Sequence, residues 1–189
     1  MGKTAYILIS GERRIGKSTL VANVATRAQG RGLKVGGIIA ESTWKKDGSK
    51  DGIDAYNLDN GERRQLATIV KDAKTTTVGE YAFDMKTADW ALKVMQQALA
   101  TPLDLVIIDE MGRLELFYGC GYAPLIPLLA TAQPRVVMIL VREGYVNSLL
   151  EKSGIEPKAI IKVDEANRDK LPERLYRRLR KLLRESEGA

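Results

Sequence analysis

Histidine is absent from this chain, and cysteine occurs once, at Cys120. The first absence removes Ser/His/Asp hydrolysis, Cys/His proteolysis and His-ligated zinc together. The second excludes an internal disulfide and any cysteine metal cluster. No apolar run approaches the roughly 20 residues that a membrane-spanning helix needs. The opening run Ala5-Tyr6-Ile7-Leu8-Ile9 is too short for a secretory signal and has no small-residue cleavage site behind it, so a cytoplasmic protein is expected. Chemistry is left to Lys, Arg, Asp, Glu, Ser and Thr.

What is present has the proportions of a folded chain. Its 189 residues suit one domain with a real core. Hydrophobic residues at 44% and charged residues at 29% are globular values. A net charge of +6 suits an anionic partner, whether nucleotide or nucleic acid. No internal repeat or linker is visible, so residues 1–189 read as a single domain.

Periodicity supplies the elements. Short apolar runs predict strands at residues 4–10, 33–42, 103–109, 135–141 and 159–163, with a further short strand at 80–84. Helical spacing predicts helices at 17–29, 88–100, 122–132, 144–152 and from 167 to about 184. Residues 37–44 and 52–59 flank a stretch rich in Gly, Asp and Lys and read as a β-hairpin insertion over about 37–59. Strands that are apolar throughout and alternate with helices indicate an α/β fold, a mostly parallel sheet covered on both faces.

Between the first strand and the first helix stands Gly11-Glu12-Arg13-Arg14-Ile15-Gly16-Lys17-Ser18, followed by Thr19. It fits G-x-x-x-x-G-K-[ST]. Phosphate oxygens need several convergent backbone N–H groups, and glycine lets the chain curl without a Cβ clash. The helix that starts near Lys17 adds its positive dipole end. Lys17 can reach the β- and γ-phosphates, and the Ser18 hydroxyl can ligate Mg²⁺. The alternative, an incidental glycine turn, leaves unexplained why the match falls between a strand and a helix.

The run Leu105-Val106-Ile107-Ile108-Asp109-Glu110 describes a central strand that carries a carboxylate to the C-terminal edge of the sheet, where ligands of open α/β sheets sit. Asp109 would hold Mg²⁺, directly or through water. Glu110 would orient and deprotonate the attacking water. Acids that merely end a strand are the bland alternative.

Three stretches resemble a known family: the phosphate loop; Gly52-Ile53-Asp54-Ala55-Tyr56-Asn57-Leu58 with Gly61-Glu62-Arg63-Arg64; and Ile108-Asp109-Glu110-Met111-Gly112-Arg113-Leu114-Glu115-Leu116. Asn167-Arg168-Asp169 adds to them. Together they are similar to the small P-loop nucleoside-triphosphatases of thermophilic archaea and bacteria, with a vertebrate cancer-related member. The resemblance implies a RecA/AAA-like parallel sheet and slow Mg²⁺-dependent hydrolysis of several NTPs. It implies the roles above for Lys17, Ser18, Asp109 and Glu110. Many members carry Pro and Gly inside the loop where this chain has Glu12, Arg13 and Arg14.

Other residues carry two readings each. Arg142 follows the strand expected beside the one carrying Asp109, and either reaches the γ-phosphate or caps a strand at the surface. Arg113 and Glu115 either position the loop after Glu110 or belong to a solvated turn. Arg168 either contacts base or ribose or is a surface arginine. Asn167-Arg168-Asp169-Lys170 is not the Asn-Lys-x-Asp pattern that reads guanine. The arginines of the last helix can grip a phosphate backbone, or form the wet side of a helix docked through Leu171, Leu175, Leu179, Leu182 and Leu183. Trp44 and Trp90 read as packing residues before base-stacking ones, and Cys120 as a bystander. Three functions follow: an NTP phosphohydrolase, favoured by Glu110 beside Asp109; a P-loop nucleotide or small-molecule kinase, with Glu41 or Asp54 touching the acceptor; and a nucleotide-dependent switch or nucleic-acid-binding module.

Overall fold

The computed structural model describes residues 3–69, 77–78 and 81–188. The strands are Ala5–Ser10 (β1), Val35–Trp44 (β2), Lys50–Asn57 (β3), Arg63–Ile69 (β4), Thr77–Val78 (β5), Tyr81–Phe83 (β6), Leu105–Met111 (β7), Val136–Val141 (β8) and Pro157–Lys162 (β9). The α-helices are Lys17–Gln29 (α1), Met85–Leu99 (α2), Arg113–Tyr118 (α3), Val146–Ser153 (α4) and Leu171–Glu187 (α5).

The strands form one sheet in the order β5-β6-β4-β3-β2-β7-β8-β1-β9. Its centre, β2-β7-β8-β1-β9, is parallel. All six residues of β1 and of β8 are buried, as strands covered on both faces require. One face packs against α1 and α5 through Leu20, Val24, Leu175 and Leu179. The other packs against α2 and α4 through Ala91, Met95 and Leu149. The β7 strand lies two places from β1, with β8 between them, so the Asp109 strand and the loop strand reach the same edge with a gap for a ligand.

Helix α1 keeps the expected bounds. Its buried residues Leu20, Val21, Val24, Ala25 and Ala28 follow helical spacing, and Gly30 and Gly32, the latter at φ 77°, end it. The leucine stripe of α5 is buried, with Leu175 and Leu179 fully so, and docks the helix on the domain.

The expected hairpin forms: Ile38–Ser42 pair antiparallel with Ile53–Asn57. Its first arm is the outer half of β2, whose inner half pairs parallel with β7. The hairpin therefore continues the central sheet, and β4, β6 and β5 extend it into an antiparallel wing. The strand expected at 80–84 is β6 over Tyr81–Phe83, and residue 80 lies outside the described residues. Residues 122–132 form two 3-10 stretches, Ala123–Leu125 and Pro127–Thr131, in place of the expected helix. Pro127 removes a backbone donor that an α-helix over 122–132 would aim at the Ala123 carbonyl, whereas Pro124 falls in the first turn, where that donor has no intrahelical partner.

Candidate active site

The phosphate loop leaves the buried end of β1 and enters α1 at Lys17. Gly11 sits at φ 150°, and a Cβ there would lie 2.6 Å from the Val163 carbonyl. The loop therefore passes against the end of β9, a passage open only to glycine. Gly16, at φ 106°, is the N-cap of α1. Among the described residues no side chain caps this terminus, and its first turn holds no acid, so the first-turn N–H groups and the positive end of the dipole are left for a ligand. Arg14 holds a positive φ of 65° without being glycine, the kind of local strain retained where a site needs the shape.

Lys17 reaches back across this loop. Its ammonium donates to the carbonyls of Gly11 at 2.9 Å and Glu12 at 2.8 Å. Burial lowers its pKa, opposed by the nearby Glu110 and Asp109 carboxylates. Ser18, one turn-step on, donates from Oγ to Asp109 Oδ1 at 3.1 Å. The backbone N–H of Ala40 donates to Asp109 Oδ2 at 2.9 Å. Asp109 thus joins β7, β2 and the start of α1. It is only 5% exposed, and burial raises its carboxyl to about 7 against the two hydrogen bonds that favour the anion.

A bulge makes the next step. Ile108 pairs with Ile139, yet Met111 pairs with Val141, so β7 spends one residue more than β8. Glu110 occupies that place at φ 72°. The bulge re-aims its side chain: Asp109 is buried and Glu110 is exposed. Arg142, the residue after β8, places Nη2 3.5 Å from Glu110 Oε1. Its Nε is buried and has no hydrogen-bond partner among the described residues. The structure therefore brings Lys17, Ser18, Asp109, Glu110 and Arg142 together at one end of the sheet.

Glu115 is more than part of a solvated turn. Its carboxylate accepts from the Gly112 N–H at 2.8 Å and the Tyr122 N–H at 3.4 Å, and burial raises its pKa. A Cβ on Gly121 would lie 2.5 Å from this carboxylate. Glu115 therefore pins the segment that follows Glu110 to the segment at 121–122. Arg113 turns away, over the Tyr118 ring at 5.4 Å.

No hydrogen bond or ion pair joins the Arg168 side chain to this cluster among the described residues. It follows β9, where the Val163 N–H donates to the Ser10 carbonyl at 2.8 Å, and its Nε is 4.0 Å from Asp169. Asn167 spends its side-chain amide on the backbone, accepting from Asp164 N at 3.1 Å and donating to Lys162 O at 3.0 Å. Trp44 is 65% exposed, so the packing expected of it is not found. Trp90 lies under the Arg64 guanidinium at 4.4 Å. Thr19 and Cys120 are exposed.

The geometry has counterparts in known proteins. A protein-family model described as NTPase matches residues 6–176. The nucleoside-triphosphatase THEP1 of Methanosarcina acetivorans is 29% identical over 93% of this chain and 98% of its own length. That of Pyrobaculum aerophilum is 32% identical over 78% of this chain and 79% of its own. Among solved structures, a human cancer-related nucleoside triphosphatase superposes with a TM-score of 0.70 at 20% identity, covering 91% of this chain and 95% of that one. THEP1 from Aquifex aeolicus superposes at 0.63 with 21% identity, covering 90% and 96%. The match over nearly the whole chain, on a sheet of the same fold, means that this protein belongs to the NTPase family.

Proposed function

We propose that the chain is a Mg²⁺-dependent nucleoside-triphosphate phosphohydrolase that converts NTP and water to NDP and phosphate. One observation carries the reading: the bulge in β7 separates two adjacent acids, leaving Asp109 buried against Ser18 and Glu110 exposed beside Arg142. A hydroxyl and a carboxylate 3.1 Å apart are hard oxygen donors suited to Mg²⁺, which takes few protein ligands and fills its shell with phosphate and water. Bound there, Mg²⁺ would neutralise charge on the phosphates. The raised pKa of Asp109 supports this, because a buried carboxylate without a full counter-charge is costly and a cation offsets the cost.

In this mechanism the uncapped first turn of α1 and Lys17 receive the β- and γ-phosphates. Lys17 exchanges its two carbonyl partners for phosphate oxygens. Glu110 accepts a hydrogen bond from the attacking water and takes its proton. Arg142 stabilises charge on the γ-phosphoryl oxygens as the bond to the leaving NDP breaks. Glu115 holds the segment carrying Glu110 in place. Bases are tolerated broadly, because the Asn167 amide is already spent on the backbone and the Arg168 guanidinium can lie against any ring. A cytoplasmic location, where NTPs and Mg²⁺ meet, belongs to the same proposal.

The test is phosphate release from a panel of NTPs, with no acceptor added, in Mg²⁺ and in excess chelator. Release from several NTPs that stops in chelator is the expected result. Full activity in chelator would remove the metal. Turnover only after a hydroxyl acceptor is supplied would make the protein a kinase.

A further inference from the structure

Charge is spread unevenly over this chain. Residues 170–187 hold seven basic and three acidic side chains, an excess of four, while the chain as a whole has an excess of six over 189 residues. The fold gathers that excess on one surface. The leucine stripe of α5 is buried in the core on the α1 side of the sheet, and every exposed residue of α5 is charged. Arg174, Arg177, Arg178, Lys181 and Arg184 are all exposed. At 3.6 residues per turn they share an arc of about 120° on the side away from the leucines and run for about 15 Å along the axis.

The acids of this helix are held by cations, two of which come from outside it. Glu173 pairs with Arg27 of α1 and, at 3.2 Å, with Arg177. Glu187 pairs with Arg135 at 2.9 Å, and Glu185 with Lys181 at 3.8 Å. Arg178 donates to the Lys158 carbonyl at 2.6 Å, which ties α5 to β9. Arg174 and Arg184 make no hydrogen bond or ion pair among the described residues. An exposed guanidinium of that kind keeps its donor fork for a phosphate.

The chemistry of the face selects among polyanions. A helix that binds a lipid surface sinks an apolar face into it, and the apolar face of α5 is buried in the protein. Single strands are held by aromatic side chains on which bases stack, and α5 exposes none. A straight row of cations on a helix suits the phosphates that flank the major groove of B-form DNA. That groove admits a helix, whereas the major groove of A-form RNA is too narrow.

We propose that the exposed basic face of α5 binds the phosphate backbone of duplex DNA, without regard to base sequence. The proposal goes beyond the phosphohydrolase reading and stands or falls separately from it.

Fluorescence anisotropy tests this with the whole protein and a mixed-sequence DNA duplex of roughly 20 base pairs without terminal phosphates, between about 50 and 200 mM salt. Wild type is expected to bind, with log affinity falling against log salt at a slope of about 3 to 4.5 as three to five phosphates lose their counterions. Arg174→Gln combined with Arg184→Gln should weaken binding by about tenfold or more at low salt and lower the slope by about 2. Arg184→Gln alone should lower it by about 1, and carries the test if the pair fails to fold. Lys46→Gln combined with Lys86→Gln makes the same charge change at exposed residues elsewhere, and should leave binding within about threefold of wild type. No duplex binding at low salt would overturn the proposal. So would equal losses in the two double variants, an α5 variant within twofold of wild type, or tighter binding to the single strand, to duplex RNA or to phosphatidylserine vesicles. ATP binding by the same samples reads the phosphate loop independently, and both double variants should keep it.

Discussion

Glu110 and Lys17 hold opposite ends of the reaction and predict different losses. Glu110 sits exposed at a bulge with a φ of 72°, with the Arg142 guanidinium 3.5 Å away. Glu110→Gln keeps the shape and the hydrogen bonding and removes the base. A positioned base contributes about 10²–10⁴-fold, so kcat should fall by that factor while ATP binding stays near that of wild type. Single-turnover rates and equilibrium binding of ATP check this together. A variant that hydrolyses ATP within threefold of wild type would transfer the role to another group. Lys17→Ala predicts the reverse pattern. Its ammonium bridges the carbonyls of Gly11 and Glu12 and is the cation proposed to meet the phosphates, so ATP affinity should drop by about 2–3 kcal/mol. Retained affinity in a folded Lys17→Ala protein would sink the loop assignment.

Elements set how closely these groups can meet. The seam between β2 and β7 carries Ala40 to Asp109, and it closes because Gly37 has no side chain. A Cβ there would stand 2.1 Å from the Ile107 carbonyl, at a φ of 102° that L-residues rarely adopt. Gly37→Ala should therefore destabilise the fold by about 2–5 kcal/mol, combining overpacking with backbone strain. It should also loosen Asp109, seen as a higher Mg²⁺ requirement in whatever fraction folds. Urea unfolding and Mg²⁺ titration of activity measure the two effects, and a stability loss under 1 kcal/mol would contradict the close approach. Some elements were legible in the sequence. Residues 17–29 show five apolar positions at helical spacing with glycines behind them, and α1 has those bounds. Others were not. Helix α3 has six residues between two glycines, too few for a 3.6-residue period to show. The β4 strand begins with Arg63, Arg64 and Gln65, all exposed, so its sequence lacks an apolar signal until Leu66.

Across the whole molecule, the sheet and its covering helices are held by burial, and burial also sets a limit in alkali. Tyr6 on β1 donates its hydroxyl to the Leu129 carbonyl beneath the sheet, and burial pushes its pKa up to about 12. An unfolded tyrosine ionises near pH 10. Between those values the folded chain keeps a proton that the unfolded chain has released, so stability falls as pH rises through the window. The loss from this group is on the order of 2–3 kcal/mol. Burial moves Tyr122 in the same direction and adds to the slope. Tyr6→Phe should cost about 1–3 kcal/mol at neutral pH, because the buried Leu129 carbonyl loses its donor, and should flatten the decline above pH 10. Denaturant midpoints from pH 8 to 12 measure both, and an unchanged slope would remove Tyr6 as its source.

The sequence by itself determined the glycine-bounded loop before α1, the apolar strand that runs into Asp109 and Glu110, and the alternation that makes a parallel sheet. Each is a local signal: glycine at fixed spacing, an apolar run before an acid, a period of two or of 3.6. It also allowed Glu115 and Arg142 as candidates without deciding between their two readings. Tertiary structure supplied their partners: the turn of the chain over residues 112–122 closes Glu115 on the Gly112 and Tyr122 N–H groups, and Arg142 arrives beside Glu110 only when β8 pairs with β7. The bulge that parts Asp109 from Glu110 is a mismatch in register between two strands, which neither strand's sequence encodes alone. Arg13 on the loop comes to lie 5.8 Å from the centre of the Tyr81 ring on β6, a contact between residues far apart in the chain that has no signature at either one.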